Sequence, residues 1–117
     1  PQVWYLDLFA GKNDYAAADK GGAAGHKEIN RTTLFNSDVD QGLSRIVVRD
    51  QLELLRLRNI SPAFEGELEI HDSDENRLHL SWKRDGCVAT LNADLVGYGF
   101  SVTHQGESCA EYVTSYR

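Results

Sequence analysis

Leu78-His79-Leu80-Ser81-Trp82-Lys83-Arg84-Asp85-Gly86-Cys87-Val88-Ala89-Thr90-Leu91 alternates apolar and polar side chains on both sides of an Asp-Gly pair. Period-two alternation marks a strand with one buried face. Asp-Gly supplies the left-handed positions of a two-residue turn, the tightest way to return an antiparallel strand. The stretch therefore reads as a β-hairpin. Leu78, Leu80 and Trp82 share one face of its first strand. Cys87, Ala89 and Leu91 share one parity of its second, continued by Ala93 and Leu95.

The same pattern extends in both directions. Upstream, Leu68 and Ile70 alternate with Glu67, Glu69 and His71, and Asp72 to Asn76 reads as a turn. Downstream, Gly97 to Gly99 turns, Phe100 and Val102 follow, and Tyr112-Val113 marks a last strand. Five short antiparallel strands with one apolar face need a cover. The helix before Pro62 is the candidate. His71, His79 and His104 fall at polar strand positions or near turns and are expected in solvent. In a meander, Cys87 and Cys109 sit two strands apart, roughly 9–10 Å and beyond disulfide reach. Both are expected as reduced thiols.

The chain changes character at Ser61-Pro62. Before it, Leu43, Val47, Leu54 and Leu57, flanked by Val48, Leu52 and Leu55, form a helical stripe. Ser37 is the expected N-cap, with Asp38 and Asp40 in the first turn, and there is room for a break near Arg45. Val3-Trp4-Tyr5-Leu6-Asp7-Leu8-Phe9 is nearly continuous in apolar and aromatic residues, which suits a strand buried on both faces of a parallel sheet. Gly11 to Thr33 is a long glycine-bearing connection, of the kind that is usually functional or disordered. The expected class is α/β followed by all-β.

The chain has 117 residues, enough for one domain or one small domain with a piece of another. A complete (β/α)8 barrel needs about 250. Twelve Lys and Arg stand against 18 Asp and Glu, net −6. That balance argues against a general nucleic-acid or anionic-membrane surface. No apolar run approaches the roughly 20 residues of a membrane span. The chain opens at Pro1 and has no Met, so a piece of a longer protein is expected, in the cytoplasm.

Gly25-His26-Lys27-Glu28-Ile29-Asn30-Arg31 concentrates charge after a glycine-rich lead, Gly21 to Gly25, that is expected to flex. Lys27 and Arg31, four residues apart, could both meet an anion; a solvated structural loop is the other reading. The lead is not a phosphate-binding P-loop, because no Gly-Lys-Ser/Thr follows at the required spacing. Asp7 falls near the end of the expected strand, where barrel active sites are built; a helix cap or a loop ion pair is the alternative. No Ser-His-Asp order or zinc spacing can be read, and no metal or cofactor is expected.

Pro1-Gln2-Val3-Trp4-Tyr5, then Ala10-Gly11-Lys12-Asn13-Asp14, then Glu28-Ile29-Asn30-Arg31, with Leu57-Arg58-Asn59 and Pro62-Ala63-Phe64-Glu65-Gly66, resembles the sucrose phosphorylase-like branch of the α-amylase superfamily. The resemblance implies the C-terminal part of a larger enzyme. Residues 1–60 would be the last strand, loop and helix of a (β/α)8 catalytic barrel, and residues 61–117 a C-terminal antiparallel β domain. The implied chemistry is retaining glucosyl transfer between a small α-glucoside and inorganic phosphate, through a glucosyl-enzyme ester. The carboxylates for that reaction would lie upstream, so no catalytic residue falls in this chain. The family's phosphate-contacting Arg falls on Lys27. Lys27, His26, Arg31 and Asp7 are then the expected substrate- and phosphate-binding residues. The His-Lys pair looks closest to relatives acting on glucosylglycerate. Sucrose or sucrose 6-phosphate is the alternative substrate, and a non-catalytic β module or inert truncation the alternative of another class.

Overall fold

The computed structural model describes residues 2–106 and, for the backbone alone, 112–116. Cys109 lies outside the described residues. The chain divides into two compact units, Pro1–Arg56 and Leu57–Arg117.

The first unit is helical. Tyr5–Leu8 forms α1, Tyr15–Lys20 α2, Gly22–Lys27 a 3₁₀ segment and Asn36–Ser44 α3; Ile46–Ile60 is α4. The expected strand over residues 3–9 is therefore not formed. A strand needs a neighbour to take its backbone groups, and among the described residues the first unit contains no strand. The run satisfies itself locally instead: Leu8 N donates to Trp4 O and Phe9 N to Tyr5 O, at 2.9 and 3.2 Å. Leu6 is the one side chain of this turn that is fully buried.

The helical stripe divides where the sequence leaves room. Arg45 is extended (φ −81°, ψ 138°) between α3 and α4, and its guanidinium Nη1 donates to Ala10 O at 2.6 Å. Ser37 is not the cap. α3 begins one residue earlier, and the Asp38 carboxylate reaches back to accept from Phe35 N at 2.8 Å. This is one half of a capping box, with a carboxylate satisfying an orphan donor at the positive helix end.

The second unit is an antiparallel meander, β1 (Glu67–Ile70), β2 (Arg77–Arg84), β3 (Cys87–Asp94), β4 (Phe100–Gln105) and β5 (Tyr112–Tyr116), paired in sequence order. The hairpin is in the expected register, with Arg84 opposite Cys87 and Trp82 opposite Ala89. Asp85 and Gly86 both have positive φ, 51° and 77°, as a two-residue turn that follows the strand twist requires. Ala63, Cys87 and Ala89 form the buried core, with Phe64 and Trp82 packed on it. The cover within this unit is thus the 3₁₀ turn Pro62–Glu65, whose Phe64 ring tilts against Trp82 at 5.1 Å.

Two histidines depart from expectation. Ala89 pairs with His104, so His104 shares the apolar face. It is buried, with Nε2 2.6 Å from Ser61 Oγ. His71 is half-buried on the polar face, its Nε2 2.5 Å from the buried Ser81 Oγ. The His79 ring stacks on it at 4.1 Å.

Candidate substrate-binding loop

The connection from Gly11 to Thr33 is folded throughout. Asp14 caps α2, its Oδ1 accepting from Ala17 N at 2.9 Å. The alanines that follow favour the helix. Gly21 ends it, and the chain returns through the 3₁₀ segment against α2. Gly25 makes that return close. It is buried, and a Cβ built on it would lie 1.7 Å from Ala18 O. The glycine-rich lead therefore works by backbone packing. The sequence expects this lead to flex; in the structure its last glycine, Gly25, is packed against Ala18.

The far end of the loop is tied to the start of the chain. Trp4 Nε1 donates to Asn30 O at 2.7 Å, and Tyr5 Oη to Thr32 O at 2.9 Å. Asp14 N donates to Ile29 O and Thr32 Oγ1 to Lys12 O, each at 2.7 Å. Tryptophan and tyrosine commonly use an apolar body with one polar tip in this way. In sequence Trp4 and Tyr5 read as part of a strand and of the family resemblance; their signal as loop braces is a pair of side-chain donors in a chain whose following loop is rich in carbonyls.

His26 and Lys27 lie in the last turn of the 3₁₀ segment and are exposed. The Lys27 side chain makes no ion pair or hydrogen bond among the described residues, so its ammonium is open to a ligand. Arg31 is less available, its Nη1 lying 3.1 Å from Glu28 Oε1 in an exposed i, i+3 pair. Asp7 is exposed on α1, and its carbonyl accepts from Gln51 Nε2 at 3.3 Å. Among the described residues no hydrogen bond or ion pair joins Asp7 to His26, Lys27 or Arg31. The loop thus brings His26 and Lys27 together as adjacent positions, commits Arg31 to Glu28, and leaves Asp7 separate.

An exposed ammonium on a braced turn can hold a phosphate or carboxylate as a point charge. Among the described residues no group of three His, Cys, Asp or Glu could hold a metal ion, and no helix is long and apolar enough to cross a membrane.

No family model matches the chain. It is 56% identical over 111 residues to a sucrose 6(F)-phosphate phosphorylase of Ilumatobacter coccineus, covering 95% of this chain and 21% of the relative. It is 34% identical to the sucrose 6(F)-phosphate phosphorylase of Thermoanaerobacterium thermosaccharolyticum, with 95% and 22% covered. Identity to a glucosylglycerol phosphorylase of Marinobacter adhaerens is 32%, with 81% and 19% covered. A crystal structure of sucrose 6F-phosphate phosphorylase from Thermoanaerobacter thermosaccharolyticum superposes with a TM-score of 0.84 at 33% identity, over 99% of this chain and 23% of that one. The chain spans about a fifth of the length of the curated relatives it matches.

Proposed function

The chain belongs, as a C-terminal stretch, to the sucrose phosphorylase family of glycosidic phosphorylases, and we propose that the enzyme containing it transfers glucose between an anionic small acceptor and inorganic phosphate. Residues 1–60 would complete the catalytic barrel, and residues 61–117 would form a C-terminal sheet domain. The reaction would be a double displacement in which phosphate replaces water as the second nucleophile. A site lined by carboxylates repels a phosphate dianion, so a cation must be supplied nearby.

The observation that carries this reading is the exposed Lys27 ammonium, beside His26 and without an ion-pair partner among the described residues. It suits a phosphate or carboxylate better than a neutral fructose. Two of the relatives are named for a phosphorylated sucrose, which makes fructose 6-phosphate the first choice of acceptor. Glycerate is the second, because one carboxylate also satisfies one ammonium. Small α-glucoside and phosphate would be the only partners the site requires, in a cytoplasmic enzyme that needs no cofactor.

The test is steady-state kinetics of synthesis from glucose 1-phosphate in the full-length enzyme, with fructose 6-phosphate, glycerate, fructose and glycerol as acceptors. Lys27→Ala should lower kcat/KM for the charged acceptors about 30- to 150-fold, and much less for the neutral ones. Equal losses for charged and neutral acceptors would reduce Lys27 to scaffolding.

A further inference from the structure

We propose that Trp4 and Tyr5 are positioning residues that fix the His26-Lys27 turn and thereby set the preference for anionic acceptors. The inference rests on the reading of Lys27 given above. Two clamps bound this turn. On its N-terminal side, buried Gly25 meets Ala18 with no room for a side chain. On its C-terminal side, the carbonyls of Ile29, Asn30 and Thr32 accept from Asp14 N, Trp4 Nε1 and Tyr5 Oη respectively. Only His26, Lys27 and Glu28 lie between the clamps.

The two aromatic donors differ from the rest of the network. Asp14 N and Thr32 Oγ1 tie the loop to itself. Trp4 and Tyr5 tie it to the segment that opens the first unit, and their rings brace each other at 5.3 Å. Each has only two side-chain torsions, so a ring tip bonded to a carbonyl locates that carbonyl closely. A point charge acting on a bound anion is sensitive to its distance, and a displacement of about 1 Å at a reacting site can cost on the order of 100-fold in rate. The cation is therefore held in place, and leaving group and phosphate exchange past a fixed charge.

The experiment is a double-mutant cycle in the full-length enzyme, with Lys27→Ala as the reference. Tyr5→Phe removes one oxygen and Trp4→Phe one donor, and each keeps an aromatic ring. Each should lower kcat/KM for fructose 6-phosphate and glycerate about 3- to 10-fold, the size of one lost hydrogen bond. The loss should appear chiefly in KM and be smaller for fructose and glycerol. Added to Lys27→Ala, either change should cause little further loss, because the charge it positions is gone. Full additivity with Lys27→Ala, or equal losses across all four acceptors, would overturn the positioning role while leaving Lys27 in place. Equal losses from Lys27→Ala itself would instead overturn the functional reading. Amide exchange gives a second readout: Tyr5→Phe should speed exchange across residues 26–32, and unchanged exchange there counts against the clamp. Should Trp4→Phe fail to fold, Tyr5→Phe carries the test alone.

Discussion

Ser61 Oγ and His104 Nε2 lie 2.6 Å apart, with both residues buried. The contact joins the residue that follows α4 to the C-terminal end of β4. Ser61 Oγ also accepts from Ala63 N at 3.2 Å and so caps the Pro62–Glu65 turn. One hydroxyl thus holds the cover and the sheet together. Ser61→Ala should destabilise the chain by about 1–3 kcal/mol, the usual cost of removing one partner from a buried polar pair. The exposed Ser73, whose Oγ donates to Arg77 O at 2.8 Å, is the control. Ser73→Ala should cost under about 0.5 kcal/mol. Equilibrium urea unfolding of both variants measures the difference.

Trp82 spans the same core from the sheet side. Its ring meets Phe64 and lies opposite Ala89 in the register. Trp82→Ala should cost about 3–5 kcal/mol, toward the lower end because the ring is only half-buried. Phe64→Ala should cost a similar amount, and the two losses should not add, since each removes the other's partner. A thermal melt unmoved by Trp82→Ala would refute this packing. Tyr98 is 81% exposed on a turn. Trp82 is turned to the core, so the two do not make the row that a carbohydrate-binding face requires.

The hairpin was legible because each of its determinants is local. Asp85-Gly86 sets the turn, and alternation sets the face. His104 was also within reach of the same rule: it continues the parity of Phe100 and Val102, and only its polarity argued for solvent. The turn at Tyr5–Leu8 was not legible. Its sequence is that of a buried strand, and a strand's pairing depends on neighbours that the run itself does not specify. The loop lay beyond local reading for a similar reason. Its brace consists of contacts between residues 15 or more positions apart, such as Asp14 with Ile29, Trp4 with Asn30 and Lys12 with Thr32. The cation at Lys27 could be read from residue type, but the clamp around it could not.

Asp94 ties the end of β3 to the following turn. Its Oδ1 accepts from Val96 N at 2.9 Å and Gly97 N at 3.0 Å. Those bonds, Gly97's first, hold its pKa below the ordinary 3.8, with Arg77 helping. The unfolded chain therefore takes up this proton before the folded one. The contribution to stability is complete above the unfolded value, near pH 4, and is lost as pH falls through the lower folded pKa. Lys83, bonded at 2.6 Å to Glu69 Oε2, lowers the Glu69 pKa from 4.5 with the same sign. Asp94→Asn should flatten the dependence of stability on pH below about 4. Stability measured in steps from pH 5 to 2.5 would show it, and identical slopes in both proteins would count against the turn.

Gly22 and Gly25 separate conformation from space within one loop. Gly22 has φ +54° and nothing within 4 Å of where a Cβ would stand. Gly22→Ala meets only the left-handed backbone penalty, about 1–2 kcal/mol, and Gly22→Asn should recover part of it, since Asn tolerates that region. Gly25 has no such backbone demand. Its Cβ would fall 1.7 Å from Ala18 O and 2.7 Å from Ala18 C, and backbone atoms cannot rotate aside as a side chain can. Gly25→Ala must therefore push the 3₁₀ segment off α2, and with it His26 and Lys27. In the full-length enzyme Gly22→Ala should lower stability with little change in acceptor preference. Gly25→Ala should lower stability and also raise KM for fructose 6-phosphate or glycerate relative to fructose or glycerol. Folded Gly25→Ala enzyme with an unaltered ranking of acceptors would show that the close approach at Ala18 does not set where the cation stands.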